Sequence, residues 1–225
     1  MANYFYITLD TTAPANPSIV IEGGATYTAN QLVDVALSTS DSDTTGYQMK
    51  IWGDVDNSHD TDVQSTEGDS NWITYQESKQ IRLSEADESK TLYLRIRDDV
   101  HNVSSQASDS IILDSTQPTV TITGPDVDRI SKIDGRDEAS FSFQVDQDFE
   151  EYKVKVVSST GASHDTGTAI LTTNGSTNMS GTDSFASTTP INSILNGADL
   201  EVASAGDGEK IIKVFVRDAA GNWSA

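Results

Sequence analysis

The densest group of residues that could do chemistry is a run of carboxylates in the first half of the chain. The four candidate metal ligands are Asp54, Asp56, Asp60 and Asp62. Oxygen ligands at alternate positions can converge on a hard cation such as Ca²⁺ when a loop curls around it, as in an EF-hand. The run lacks the central Gly of that loop, and Ser65 rather than Glu stands at its twelfth position. The sequence therefore predicts either a looser calcium site that shares Glu67 or Asp69, or a solvated acidic loop.

Three aromatic residues flank this acidic run and form the second candidate site. Trp52, Trp72 and Tyr75 could build a contact surface for a sugar or for another protein. Large aromatic side chains more often fill a core or cover its end, and that interpretation is favoured here.

Catalytic constellations are poorly represented. The three histidines, His59, His101 and His164, all fall in predicted loops, with no Gly-x-Ser-x-Gly elbow and no His pair at zinc spacing. The chain has no cysteine, which excludes a thiol nucleophile, a thiolate metal site and a disulfide. No carboxylate lies in an apolar setting that would raise its pKa. We therefore predict a protein that is not an enzyme.

The charge of the chain restricts its partners. Its 35 acidic and 14 basic residues give a formal net charge of −21, which repels nucleic acid and anionic lipid surfaces. No stretch approaches the ~20 apolar residues that cross a bilayer, and the N-terminus lacks the basic and apolar regions of a secretory signal. We expect no nucleic-acid or membrane partner and synthesis in a cytoplasm.

A repeat predicts the elements that position these groups. The segments 90–105 and 210–225 match at a spacing of 120 residues, with Arg97, Asp98 and Asn102 returning as Arg217, Asp218 and Asn222. Apolar residues alternate in both copies, which is typical of a strand with one buried face. The tight reversal after each strand contains Gly221 in the second copy but His101 in the first, which implies either strain or a different turn there.

A second repeat marks the domain boundaries. An apolar run followed by Asp-x-Thr-x-Pro ends at Pro14 and again, 104 residues later, at Pro118. Proline after an extended run suits a junction because it cannot donate to a sheet. We predict an N-terminal strand and linker at 1–13, one domain at 14–114 and a second at 115–225, each an antiparallel β-sandwich.

The predicted strands are short and separated by polar turns, and no segment carries a major helical stripe. In domain one they lie near 19–22, 32–37, 47–52, 72–75, 81–83, 91–97 and 110–113. In domain two they lie near 120–123, 141–145, 152–157, 169–172, 191–195 and 211–217. Long insertions at 53–71 and 158–208 interrupt the two domains, and such loops are where sandwich proteins usually make contacts.

The chain resembles a known class of modules. Leu9 to Pro14, Gly46 to Ile51 and Val216 to Asn222 are similar to tandem bacterial immunoglobulin-like or fibronectin-like domains, and 152–224 looks most like the versions in tailed-bacteriophage structural proteins. The resemblance implies an all-β fold of two tandem immunoglobulin-like sandwiches. It implies spacing, decorating or binding roles without selecting one.

The N-terminal segment is a candidate partner-binding element. It contains Tyr4, Phe5, Tyr6, Ile7 and Leu9. The segment reads as a strand that domain two lacks, because nothing follows Asn222 to Ala225 that matches 110–113. Residues 3–9 could therefore fill the open edge of domain two in another copy, pair with another virion protein, or extend the sheet of domain one itself.

The expected function is that of a non-enzymatic bacteriophage virion protein. It would decorate or link parts of the head or tail through contacts with other virion proteins or copies of itself, since an extracellular-style array without an export signal suits a protein released by lysis. The alternative is an adhesin-like module that binds host-surface glycan through the Trp52 to Tyr75 region, with or without calcium.

Overall fold

The computed structural model describes residues 3–225. The chain divides into two compact units, one that ends at Ser115 and one that begins at Thr116, and we call them domain one and domain two. The regular secondary structure of both is almost entirely β-strand.

The described residues of domain one, 3–115, form eight strands in two sheets. The strands are β1 (Ser18–Ile21), β2 (Tyr27–Thr28), β3 (Leu32–Ser38), β4 (Gln48–Gly53), β5 (Ile73–Thr74), β6 (Ser78–Arg82), β7 (Ser89–Arg97) and β8 (Ala107–Leu113), with a short 3₁₀ turn at Glu22–Gly24. One sheet has the order β1-β3-β6 and the other β2-β8-β7-β4-β5. All pairs are antiparallel except the parallel pair β2–β8.

The core of domain one lies between its two sheets. Alternate residues of β7, including Leu92, Leu94 and Ile96, are fully buried, and Val33 and Val35 of β3 are buried in the same cluster. Each such side chain contributes about 1.5–3 kcal/mol through removal from water. The period-two pattern in the sequence is thus the direct cause of this packing.

Domain two repeats this plan with fewer paired strands. Its elements are β9 (Val120–Thr123), β10 (Glu138–Val145), β11 (Phe149–Val157), β12 (Thr168–Ala169), β13 (Ser180–Phe185), β14 (Ile191–Asn196), α1 (Gly197–Ala203) and β15 (Ile211–Arg217). One sheet has the order β9-β10-β14, and in the other β11 pairs with β15 on one side and with β12 and β13 on the other. Its core contains Phe143, Tyr152, Val154, Val214 and Val216.

The predicted all-β fold with two tandem sandwiches is confirmed. The predicted strand at residues 3–9 is wrong, because no strand is assigned before Ser18 among the described residues. The idea that it extends the sheet of domain one is wrong for the same reason. The sequence reasoning missed β2, β13 and α1, which are short or polar and carry little apolar periodicity.

Candidate interaction site

The repeated Arg-Asp motif builds a turn rather than a reactive centre. The buried carboxylate of Asp98 accepts hydrogen bonds from the backbone N–H groups of Val100 and Asn102 and from the Asn102 side chain, at 2.8–3.0 Å. Asp218 holds Asn222 in the same way. His101 has a φ of 71° and Gly221 one of 92°, so both copies form the same turn and the first is the strained one.

The four candidate calcium ligands are directed to separate structural partners. Asp54 accepts the backbone N–H of Thr91 at 2.8 Å, and Asp62 accepts the Asn71 side-chain amide at 3.0 Å. Of the remaining two carboxylates, Asp56 contacts Ser58 and Arg82, and Asp60 contacts Lys79 and the N–H of Asp62.

The hydrogen bonds from Ser58 hold the pKa of Asp56 below its usual value. Partial burial raises the pKa of Asp60. The ammonium of Lys79, whose Nζ lies 2.6 Å away, has the larger opposite effect, so the pKa of Asp60 lies below its usual value. Within residues 3–225, no group of three or more acidic or His side chains is placed to hold a metal ion. The structure therefore does not bring the four carboxylates together, and calcium binding stays a prediction.

The acidic insertion covers part of the outer face of the β4–β7 sheet and also reaches β6 of the other sheet, where Asp60 pairs with Lys79. The Lys50 ammonium donates to the Glu67 carbonyl at 3.1 Å, and Arg95 lies 3.4 Å from the Glu67 carboxylate. Val63 of the same insertion is buried in the core cluster of domain one. The insertion is therefore a packed cover of the sheet, not a free loop.

This cover explains the three aromatic residues. Trp52 is 7% exposed and its ring stacks on Tyr93 with centroids 5.6 Å apart, so it cannot stack on a sugar. The half-buried Trp72 ring makes cation–π contacts with Lys50 and Arg97, whose Nζ and Cζ atoms lie 5.2 and 4.5 Å from the ring centroid. The Tyr75 hydroxyl donates to the carbonyl of Leu37 at 3.3 Å. Glycan binding through this region stays a prediction, and loss of cell-wall polysaccharide binding in Trp72→Ala is its test.

The three histidines lie in loops, as predicted. In domain two, His164 stacks on Trp223 with ring centroids 4.4 Å apart and lies 3.0 Å from the Asp165 carboxylate. Both rings border an open groove of about 760 Å³ at the surface. His59 and His101 are exposed in loops of domain one.

The sequence analysis missed the buried carboxylate of domain two. Asp199, in the first turn of α1, is fully buried and accepts hydrogen bonds from Thr173, Asn174 and Ser176 at 2.9–3.1 Å. Burial raises its pKa, but these hydrogen bonds outweigh burial and lower the pKa to about 2. The only local signal was Asn196, which caps α1 by accepting the N–H of Ala198.

An open sheet edge is the feature that distinguishes domain two. In domain one, β7 pairs with β4 on one side and with β8 on the other. In domain two, β15 pairs with β11 on one side, and no strand among the described residues pairs with its other side. The part of that edge near residue 216 is closed by Ser224, just as Ser104 closes it near residue 96. Positions 209–214, where β8 would pair, have no strand alongside.

The core next to this edge is also open. Ile122 of β9 pairs with the buried Phe143, so its side chain lies on the core side of the sheet, yet it is 45% exposed. The corresponding strand of domain one, β1, buries Ile19 and Ile21 to 4% and 0% exposure, and β8 packs against that strand. Ile212 is likewise half-buried where its counterpart Leu92 is completely buried.

The N-terminal segment presents the opposite property. Its large apolar side chains are 69–90% exposed, and they belong to Tyr4, Phe5, Tyr6, Ile7 and Leu9. Single exposed apolar residues are ordinary, but five in the six positions from 4 to 9 form an unusually dense exposed apolar segment.

Comparison with known proteins gives little beyond this geometry. No protein-family model and no curated protein matches the chain. Among solved structures, the chain is similar to the fibronectin(III)-like modules of CbhA from Clostridium thermocellum, with 12% identity over 92% of this chain and 89% of that one, and a TM-score of 0.48. It is also similar to the chitinase ChiA74 from Bacillus thuringiensis, with 15% identity over 92% of this chain and 30% of that one, and a TM-score of 0.32. Because both scores are below 0.5, we assign the fold from strand order and register alone. No helix in residues 3–225 is long and apolar enough to cross a membrane.

Proposed function

We propose that this chain is a non-enzymatic structural protein of a bacteriophage particle that links or decorates virion components through protein–protein contacts. The observation that carries the proposal is that one chain has both an exposed apolar segment at residues 4–9 and an unpaired sheet edge on β15. Both features are costly in an isolated protein, since exposed edges and apolar patches promote association.

The roles of the polar residues support the same proposal. The carboxylates of Asp98, Asp199 and Asp218 are buried and bonded to turn and loop backbone. They hold turns and loops in place. Such a scaffold, rigid inside and adhesive at one segment and one edge, suits a linker between protein components.

The test is sedimentation with phage particles. Phage particles would be purified on a density gradient from a lysate of the bacterial culture that produces this chain. The gradient fractions would be probed with antibodies against the chain, against a capsid protein and against a cytosolic protein. We expect the chain to follow the capsid marker and to remain after a high-salt wash. Recovery with the cytosolic marker alone would overturn the proposal.

A further inference from the structure

We propose that residues 3–9 of one copy of this chain add as a strand to the outer edge of β15 in a second copy, in the place that β8 occupies in domain one. The inference deepens the proposed function by naming the partner, and it rests on that function only for its setting on a particle. We infer that the occupant is a second copy because residues 3–9 of this chain correspond in sequence to β8, the strand that occupies the equivalent edge in domain one.

The repeat fixes the register of the added strand. In domain one, Lys90 pairs with Ile111 and Thr91 with Ser110. Shifting β7 by 120 residues and β8 by 104 residues, as the two repeats require, pairs Ile7 with Lys210 and Tyr6 with Ile211. The added strand runs antiparallel to β15 and covers the positions from 209 to 214 that have no neighbouring strand.

The side chains alternate as this register demands. In β8, Ile111 and Leu113 are buried whereas Ser108 and Ser110 are exposed. The equivalent inward positions of the N-terminal segment hold Phe5, Ile7 and Leu9, and the outward positions hold Tyr4, Tyr6 and Thr8. Every inward position from 5 to 9 is therefore apolar, as a strand with one buried face requires.

The surface that these side chains would cover is the open core described above. Ile122 and Ile212 lie on the inner side of domain two and are incompletely buried. The added strand would shield them as β8 shields β1 in domain one. Pairing would also give the outward backbone groups of Lys210 and Ile212 the partners that those of Lys90 and Leu92 have in β8.

A polar contact at the end of the strand repeats as well. In domain one, the backbone N–H and the hydroxyl of Ser115 both donate to the Asp87 carboxylate, at 3.0 and 2.9 Å. The same shifts place Thr11, which has the same donors, opposite the exposed Asp207. This contact fixes the strand against slipping by two residues, a slip that would preserve its apolar face.

The first experiment measures solution mass by light scattering across protein concentration. We expect the 225-residue chain to grow beyond a monomer, since a head-to-tail contact forms open chains or rings. The triple variant Phe5→Ser, Ile7→Ser, Leu9→Ser should weaken this association by on the order of 100-fold or more. The matched control is Tyr4→Ser, Tyr6→Ser, which alters only outward positions and should retain association within about tenfold.

The second experiment tests the register with introduced cysteines, which the cysteine-free chain permits. Thr91 and Ser110 place their hydroxyl oxygens 2.9 Å apart across β7 and β8, so their counterparts Ile211 and Tyr6 should face each other. A mixture of Tyr6→Cys and Ile211→Cys chains should form a disulfide-linked heterodimer under mild oxidation. Phe5→Cys in place of Tyr6→Cys faces the other side and should not.

The outcomes separate this inference from the proposed function. The proposed strand addition would be overturned if the chain were a monomer at all concentrations. It would also be overturned if the triple variant at positions 5, 7 and 9 associated as strongly as the double variant at positions 4 and 6. Cross-linking of Phe5→Cys but not Tyr6→Cys would overturn the register. None of these results bears on sedimentation with particles, which decides the proposed function independently.

Discussion

The replacement Asp199→Asn probes how domain two holds its long insertion. The Asp199 carboxylate is fully buried and accepts the backbone N–H groups of Asn174 and Ser176, the Asn174 side-chain amide and the Thr173 hydroxyl. Asparagine has the same shape but presents one NH₂ group where donors already converge. At least one of these donors would lose its acceptor, and the negative charge they share would be gone.

The magnitude follows from the pKa. A fall from 3.8 to about 2 corresponds to about 2 kcal/mol of stability at neutral pH. Because the folded-state pKa is the lower one, this contribution is complete above about pH 4 and is lost as the pH falls through about 2. We expect Asp199→Asn to reduce the free energy of unfolding of domain two by about 2–3 kcal/mol at pH 7, and the difference from the original protein to shrink between pH 4 and pH 2.

The assay is urea unfolding of the full chain, followed by Trp223 fluorescence and repeated from pH 7 to pH 2. Trp223 is the tryptophan of domain two. The fluorescence of Trp52 and Trp72 in domain one is removed by replacing both with Phe, in the Asp199→Asn variant and in the protein it is compared with. Asp183→Asn, an exposed carboxylate in the same domain, is the control and should change stability by less than about 0.5 kcal/mol. A destabilisation that stays constant from pH 7 to pH 2 would refute the argument from the carboxylate charge.

Three further predictions address domain one. His101→Gly should raise its free energy of unfolding by about 0.5–1 kcal/mol, because His101 occupies the left-handed region that Gly221 occupies in domain two, and a loss in urea unfolding would contradict the assigned strain. Gly53→Ala should cost about 2–4 kcal/mol in the same assay, because its Cβ would lie 2.1 Å from the carbonyl oxygen of Thr91; Gly24→Ala, with positive φ but open space, should cost only about 1 kcal/mol, and equal losses would rule out the clash. Calcium titration by calorimetry should give only heat of dilution, since the carboxylates of the acidic insertion already have protein partners, and saturable heat would restore the calcium site.

The sequence predicts the strands that obey a local rule. The alternation in β7 and β15 is visible without any partner, because each residue's face depends only on its position in the strand. In β13 the sequence Ser-Gly-Thr-Asp-Ser-Phe is mostly exposed and polar, so its pairing with β11 depends on long-range contacts that periodicity does not report. The segment 3–9 shows the reverse case, in which a strand-forming composition pairs with no strand of its own domain.

The arrangement of the candidate site residues could not be predicted for a related reason. Trp52 and the carboxylates of the acidic run are close in sequence, but that closeness does not say which strands the run will contact. The insertion packs against both sheets, where Trp52 is buried against Tyr93 and Asp60 pairs with Lys79 of β6. Whether a polar insertion projects into solvent or covers a sheet depends on partners such as Lys50 and Arg95, and apolar periodicity does not identify such partners.

The same reasoning explains why the two domains differ at one edge. The strand that closes domain one, β8, is followed directly by the Asp-x-Thr-x-Pro junction, so the closing strand and the junction form one sequence unit. That unit occurs again at residues 3–14, ahead of domain one, while the described residues of domain two include a counterpart of β7 and none of β8. A segment with the composition of a strand therefore precedes a domain that already has its own closing strand, and among the described residues domain two, with its exposed Ile122, has no such strand. If residues 3–9 of one copy covered the β15 edge of the next, a single contact would bury both the exposed N-terminal side chains and the exposed core side chains of domain two. Such a contact would be favourable because burial of apolar surface stabilises by about 25 cal/mol per Å².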